Sequence, residues 1–265
     1  MPTAAEIYYH PFQQNKTDSP PIVLIHGAGG NHLYWPFEIR RLSGHRIFAL
    51  DLPGHGKSGG RGLQTIQAYA LSILDWMETL GFHQAVFIGH SMGGAIALTL
   101  ALNHPEQVRG LGLISSGARL RVAPAILENT ASPQSLPSAL SAIISLTFSK
   151  NANPRLVELA ARQMAEIRST VLYGDFIACN TFDVMENLAG IRTPTLVICG
   201  QEDQLTPIRY SQYLADQIPG ALLKIISNAG HMVMLEQPRS VANALSDFLA
   251  TIPYHPGYSP RRSDQ

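Results

Sequence analysis

The sequence predicts an α/β protein, with a mostly parallel, doubly wound sheet and a helical segment inserted late in the chain. Three observations carry this expectation. Apolar runs of strand length recur along the chain, each bounded by glycine, proline or a polar turn. Between them, apolar residues return at three- and four-residue spacing, as on one face of a helix. The alternation stops after Gly117 and resumes only at Pro194.

Glu6 to His10 reads as an edge strand, followed by a polar turn through Asn15 to Ser19. Pro21-Ile22-Val23-Leu24-Ile25-His26 is continuously apolar, the signature of a strand buried on both faces, and runs into Gly27-Ala28-Gly29-Gly30. Trp35 to Leu42 predicts a short helix. Arg46 to Leu50 is a second buried strand, ending in Asp51-Leu52-Pro53-Gly54-His55-Gly56-Lys57-Ser58. From Leu63 to Leu80 the residues Ile66, Tyr69, Ala70, Ile73, Leu74 and Met77 share one helical face, and Gly81 closes the helix. A strand from Ala85, the sequence Gly89-His90-Ser91-Met92-Gly93-Gly94, an alanine-rich helix and a strand from Val108 to Ser115 follow. Strands that alternate with helices run parallel and are covered on both sides.

From Ala118 to Gly190 the pattern offers no strand, but helical runs at Ser138 to Phe148, Pro154 to Arg168 and Val171 to Phe182. A segment this long with helices of its own reads as an inserted cap. The strand Thr195 to Cys199, a helix from Ile208 to Gln217, the strand Leu222 to Ile226 and a last helix from Arg239 to Ala250 complete the chain. The expected organisation is a core formed by 1–117 and 191–252, a helical cap over 118–190, and a flexible tail over 253–265.

The composition narrows the function. With 265 residues and 45% hydrophobic content, the chain can bury a large core. Its 19 basic and 19 acidic residues cancel, so no positive field favours nucleic acid or an anionic membrane. No apolar run reaches the ~20 residues of a membrane span, and the start lacks the pattern of a signal peptide, so a cytoplasmic protein is expected. Cys179 and Cys199 supply no disulfide framework.

Gly-x-Ser-x-Gly between a strand and a helix is the pattern of a nucleophile elbow, in which a tight turn lifts Ser91 above the sheet. The pentapeptide alone also fits an ordinary glycine-rich turn. A serine hydroxyl is a weak nucleophile, so it needs a base, and the base needs a third group to orient it. In a parallel sheet such groups sit beyond the carboxyl ends of strands. His231, after the strand ending at Ile226, supplies the base, and Asp203, after Cys199-Gly200, the acid. Glu202 is adjacent to Asp203 and rivals it; Asp175 and Asp183, in the cap, are weaker candidates. Two backbone N–H groups are expected to form an oxyanion hole, that of Met92 and that of Ala28. Gly27, Gly29 and His90 beside the serine, with Phe176 of the cap, are expected to contact substrate.

Other motifs lead elsewhere. His26 and His90 match no metal-ligand spacing, so no metal and no cofactor is expected, and His26 is assigned to hydrogen-bonding its own loop. The segment from Asp51 to Ser58 lacks the spacing of a phosphate loop and reads as a structural turn. Leu140, Ile144, Phe148, Met164, Leu172 and Phe176 are expected mostly to pack helix on helix, with a few facing an acyl group.

Taken together, His26-Gly27-Ala28-Gly29-Gly30, Asp51 to Ser58, Gly89 to Gly94, Gly200-Gln201-Glu202-Asp203 with Pro207, and Gly230-His231 with Glu236 and Pro238 resemble the α/β-hydrolase family over nearly the whole chain. The resemblance favours Asp203 over Glu202. Serine rather than aspartate at the elbow is unlike the epoxide hydrolases and haloalkane dehalogenases of that fold. The pattern is most similar to the esterase and monoacylglycerol-lipase-like branch. It implies a serine carboxylesterase acting on a small-molecule ester with an apolar acyl group. Alternatives on the same residues are carbon–carbon bond hydrolysis, lactonase or perhydrolase activity, and, in another class, a slow-turnover ligand receptor. With one strand ahead of Ile22, where many relatives have a hairpin, the antiparallel edge is expected to be truncated. The sequence gives no oligomeric state.

Overall fold

Strands too apolar to tolerate water on either face dictate the architecture. In the computed structural model, which describes residues 2–12 and 19–253, they lie in a sheet of eight strands. These are β1 (Thr3–Ala4), β2 (Ile7–Phe12), β3 (Ile22–Ile25), β4 (Ile47–Leu50), β5 (Ala85–His90), β6 (Val108–Ile114), β7 (Thr195–Gly200) and β8 (Leu222–Ile226). Their order is β1-β2-β4-β3-β5-β6-β7-β8. β3 to β8 are paired in parallel, while β2 runs antiparallel to β1 and β4. The remainder of the expected polar turn (15–18) and the tail from 254 lie outside the described residues.

The expected truncation of the antiparallel edge is corrected. β1 and β2 form a hairpin, with Thr3 opposite Tyr8, through a two-residue turn at Ala5 and Glu6. Both turn residues have positive φ, 45° and 63°, the backbone that a two-residue hairpin requires. Alanine and glutamate rarely adopt it, so the sequence carries none of the usual turn signals.

The helices are α1 (Phe37–Arg40), α2 (Ile66–Thr79), α3 (Met92–Asn103), α4 (Pro124–Thr130), α5 (Leu136–Thr147), α6 (Pro154–Ala165), α7 (Ser169–Thr181), α8 (Ile208–Gln217), α9 (Val233–Glu236) and α10 (Pro238–Thr251). α2 starts where expected because Thr65 caps it, accepting the Ala68 N–H at 3.1 Å. The segment between β6 and β7 is helical, with α4 in addition to the three expected helices and an isolated bridge between Arg119 and Asp183. Among the described residues no helix is long and apolar enough to cross a membrane.

Alternate residues of each strand feed alternate faces. Phe87 and Val197 pack with Ile73, Trp76 and Leu98 of α2 and α3. Their chain neighbours Ile88 and Ile198 pack with Trp35, Ile39, Leu245 and Phe248 on the opposite face. α3 is buried along nearly its whole length, which explains its lack of an amphipathic pattern.

Gly89→Ala should destabilise the fold by about 3 kcal/mol or more, because its Cβ would run into the Gly93 backbone. Gly190→Ala, where a Cβ meets nothing within 4 Å, should stay within about 0.5 kcal/mol of the parent. Urea denaturation of the two variants makes the comparison.

Candidate active site

Ser91 occupies the single residue between β5 and α3, with φ 53° and ψ −115°, a backbone that a residue bearing Cβ adopts only under constraint. The constraint is visible on both sides. Its N–H donates to the Ile114 carbonyl at 2.9 Å, and its carbonyl accepts the Ser116 hydroxyl at 2.8 Å. A Cβ on Gly93 would collide with the Ile25 carbonyl, and one on Gly94 would lie 2.5 Å from Ser116 Oγ. The elbow glycines therefore permit backbone contact with β3 and with the residues after β6.

The loop after β3 lies against the serine. A Cβ on Gly27 would be 3.1 Å from Ser91 Cβ. Within the loop, the Gly30 N–H donates to the Gly27 carbonyl at 3.0 Å. His26 fixes the same carbonyl: its Nδ1 lies 2.8 Å away, while its Nε2 accepts the Leu52 N–H at 3.0 Å. These contacts require the neutral Nδ1–H tautomer, and burial pushes the ring down to about 4. A peptide plane carries its N–H opposite its C=O, so the Ala28 N–H points away from these donors. Among the described residues it donates to no protein group. The Met92 N–H opens α3, where the first N–H groups have no intrahelical acceptor.

Asp203 follows β7 and His231 follows β8. His231 Nδ1 lies 3.0 and 3.1 Å from the two Asp203 oxygens, and both residues are buried. The carboxylate also accepts the Leu205 N–H at 3.0 Å, the Thr206 N–H at 2.8 Å and the Thr206 hydroxyl at 2.8 Å. Burial alone would raise the Asp203 pKa, but the His231 ring and the Thr206 hydrogen bonds outweigh it and hold the carboxyl below its ordinary range. With Nδ1–H on the carboxylate, Nε2 is the nitrogen left to act as a base.

The backbone of His231 is held as firmly as its ring. Its N–H donates to the Thr147 carbonyl at 2.8 Å, at the end of α5, and its carbonyl lies 3.0 Å from His90 Nε2. Glu236 accepts the Gly230 and Ser149 N–H groups at 2.8 and 2.9 Å, tying the histidine loop to the chain after α5.

Two of the residues expected to contact substrate are engaged within the protein. His90 is buried with Nε2 3.0 Å from the His231 carbonyl, and burial pushes its ring down to about 3, so it stays neutral. The Gly29 N–H donates to Asp175 Oδ2 at 2.8 Å. The rival acids lie elsewhere. Glu202 accepts the Lys150 N–H at 3.1 Å, and Asp183 is 3.6 Å from both Arg119 and Arg121. Asp175 faces His55 and Tyr69.

The turn from Asp51 to Ser58 encloses its own carboxylate. Asp51 accepts the N–H groups of His32 and Lys57, pairs with His32 Nδ1 at 2.8 Å, and fills the space beside Gly56. That leaves no anion cradle. Within the helical segment between β6 and β7, Ile144 and Phe148 join the core face that holds Trp35, while Leu140 and Phe176 are half-buried outside both core clusters. A cleft of about 620 Å³ lies at the far half of α3, lined by Thr65, Gln67, Thr99, Asn103, Thr181 and Asp183, none of them a site residue. Among the described residues no group of three or more His, Cys, Asp or Glu could hold a metal ion.

Sequence reasoning missed Thr206, although a Thr three residues after an Asp at a helix start is a recognisable turn signal. It also missed what His90 and Asp175 touch, which only the folded chain brings together.

The family model described as the alpha/beta hydrolase fold matches residues 20–238. The RutD carbamate hydrolase candidate of Pseudomonas syringae pv. syringae is 30% identical over 259 residues, covering 92% of this chain and 100% of that protein. The pimeloyl-[acyl-carrier protein] methyl ester esterase of Yersinia enterocolitica is 30% identical over 241 residues, 86% of this chain and 92% of that protein. The crystal structure of an enol-lactonase from Burkholderia xenovorans LB400 superposes with a TM-score of 0.88 at 24% identity, covering 94% of this chain and all of that one, and so shares the fold.

The depressed Asp203 pKa has a consequence for stability. A carboxyl depressed in the folded state contributes stability above its unfolded value, about 4, and loses that contribution as pH falls through the folded value. The stability gap between the parent and Asp203→Asn should therefore be widest near neutrality and close toward acid. Urea melts across that pH range measure it; a gap independent of pH would contradict the pairing.

Proposed function

The chain belongs to the α/β-hydrolase fold family, and from that premise we propose that it is a serine hydrolase cleaving carboxylic esters through an acyl-enzyme. The observation that carries the reading is the buried His231–Asp203 pair, beyond the carboxyl ends of β7 and β8, strands parallel to the β5 that leads into the strained Ser91. Ser91 Oγ attacks the ester carbonyl while His231 Nε2 takes its proton. The N–H groups of Ala28 and Met92 receive the negative oxygen of the tetrahedral intermediate, a contribution of about 3–4 kcal/mol per donor. Collapse breaks the carbon–oxygen bond, and His231 returns its proton to the leaving alcohol. Water, deprotonated by the same nitrogen, then releases the acid and regenerates Ser91. Asp203 stays ionised throughout and stabilises the imidazolium.

In this reading the segment 118–190 is the cap above the site, and its aliphatic and aromatic residues receive an apolar acyl group. Leu140 and Phe176, outside both core clusters, are the side chains assigned to it. A second reading has one specific support, the carbamate hydrolase name of the RutD relative. A carbamate carbonyl is less electrophilic than an ester, because nitrogen donates its lone pair, so the same residues would turn it over more slowly unless the cap binds it selectively.

A fluorophosphonate should label Ser91, located by mass spectrometry, and Ser91→Ala should abolish both labelling and turnover of nitrophenyl esters. A label on any other residue, or an active Ser91→Ala protein, overturns the proposal.

Along a nitrophenyl ester series from acetate to octanoate, kcat/KM should rise beyond acetate. A flat or acetate-only profile would remove the cap from the acyl site, and a carbamate hydrolysed faster than its ester counterpart would favour the second reading.

A further inference from the structure

One buried carboxylate takes no part in the reaction above and yet holds the loop on which that reaction depends. Asp175, on α7, is fully buried. Its Oδ2 accepts the Gly29 N–H at 2.8 Å and lies 2.8 Å from His55 Nε2; its Oδ1 accepts the Tyr69 hydroxyl at 2.6 Å. Four parts of the chain meet there: α7, the loop after β3, the turn after β4, and α2. A carboxylate survives such burial only when it is paired and its lone pairs are filled, as they are here.

The protonation state of His55 follows from its neighbours. Nδ1 lies 3.1 Å from the Pro53 carbonyl oxygen and Nε2 lies 2.8 Å from the carboxylate. Both partners only accept, so both ring nitrogens carry hydrogen and the ring is an imidazolium. Burial opposes that charge, but Asp175 and the Pro53 carbonyl outweigh it, with Asp51 adding to them, and the ring titrates above its ordinary value. Tyr69 flanks it from α2, and His26, with one nitrogen accepting a hydrogen bond, adds no charge from the loop after β3.

We infer that Asp175 is a positioning residue for acyl transfer: by holding the Gly29 N–H it fixes the peptide next to Ala28 and keeps the Ala28 N–H aimed at the oxyanion. The inference rests on the serine-hydrolase reading of Ser91 and Ala28. Two consecutive peptides of the loop are pinned from opposite sources, the first through its carbonyl by His26 and Gly30, the second through its N–H by Asp175. Because Asp175 belongs to α7, the seating of that helix and the shape of the oxyanion loop are one event. The charge is required as well as the shape. An Asn at 175 has one oxygen where the carboxylate's two receive three donors, and without the carboxylate His55 loses the partner of its charge. A neutral His55, its remaining hydrogen on Pro53, would turn a bare nitrogen toward that oxygen.

Asp175→Asn, Tyr69→Phe and the double variant His55→Gln/Asp175→Asn test this. In the double variant a Gln amide donates to the Asn oxygen beside Gly29, and the Asn amide donates to the Tyr69 oxygen, which gives up its own donation, so the Gly29 contact is rebuilt without charge. Asp175→Asn should lower kcat about 10–100-fold and weaken a trifluoromethyl ketone, whose adduct places an oxyanion in the same hole, by a similar factor, with KM little changed. The double variant should recover most of both losses. Should Asp175→Asn not be recovered folded, Tyr69→Phe carries the test, with kcat and ketone affinity falling together about fivefold. A folded Asp175→Asn with parental kcat, a loss confined to KM and thermal stability, or a Tyr69→Phe protein unchanged in kcat overturns the inference. Fluorophosphonate labelling of the parent separates the two levels. A parent labelled at Ser91 with an indifferent Asp175→Asn removes only the role of Asp175. A parent that is not labelled removes the reading beneath it.

Discussion

The structure depends on one close approach, the backbone of the β5–α3 turn against the backbone of β3. At Gly93 the approach to the Ile25 carbonyl leaves no room for a side chain, and at Gly89 the turn folds back on itself equally closely. Ser91 can hold a positive φ only because these contacts, with the Ile114 and Ser116 hydrogen bonds, over-determine its conformation. The same approach carries the loop after β3 to the serine, where Gly27 lies beside Ser91 Cβ. Ser91 and the loop after β3 are thus positioned by a single packing event at the centre of the sheet.

Much of this was legible because burial writes itself into composition. Ile22–Ile25 and Ile47–Leu50 are fully buried strands, and four consecutive apolar residues without alternation have no other stable place in a sheet. The elbow glycines, the Asp203 and His231 positions and the role of His26 were readable for a related reason: each follows a strand and acts within its own loop or at a strand end. In the segment between β6 and β7 the three longer helices carried a pattern, whereas the seven-residue α4, among prolines and short polar residues, did not.

What escaped the sequence was pairing across long separations. Nothing local ties Asp175 to Gly29, 146 residues earlier, or His90 to the His231 carbonyl, 141 residues later. The motif around His90 suggested a substrate contact because it abuts the serine; the folded chain buries the ring and sets its Nε2 against the histidine loop. The Ala5-Glu6 turn escaped for the opposite reason. Its geometry is local, but tertiary pairing of β2 with β4 imposes it against residue preference.

Buried histidine–aspartate pairs make the same point about chemistry. The described residues contain three: His32–Asp51, His55–Asp175 and His231–Asp203. Composition cannot rank them, and the distances are nearly alike, 2.8, 2.8 and 3.0 Å. The second nitrogen separates two of them, and place in the fold separates the third. His55 turns its other nitrogen to the Pro53 carbonyl and becomes a fixed cation, useful only for holding a charge in place. His32 packs its ring on Tyr8 and His10, at the antiparallel edge beyond β4. His231 turns Nδ1 to the carboxylate and keeps Nε2 uncommitted among the described residues, on a loop held beside the elbow through His90. One carbonyl oxygen, that of Pro53, thus separates the ring held as a clamp from the ring proposed as a base, and His32 is set apart by its place at the antiparallel edge.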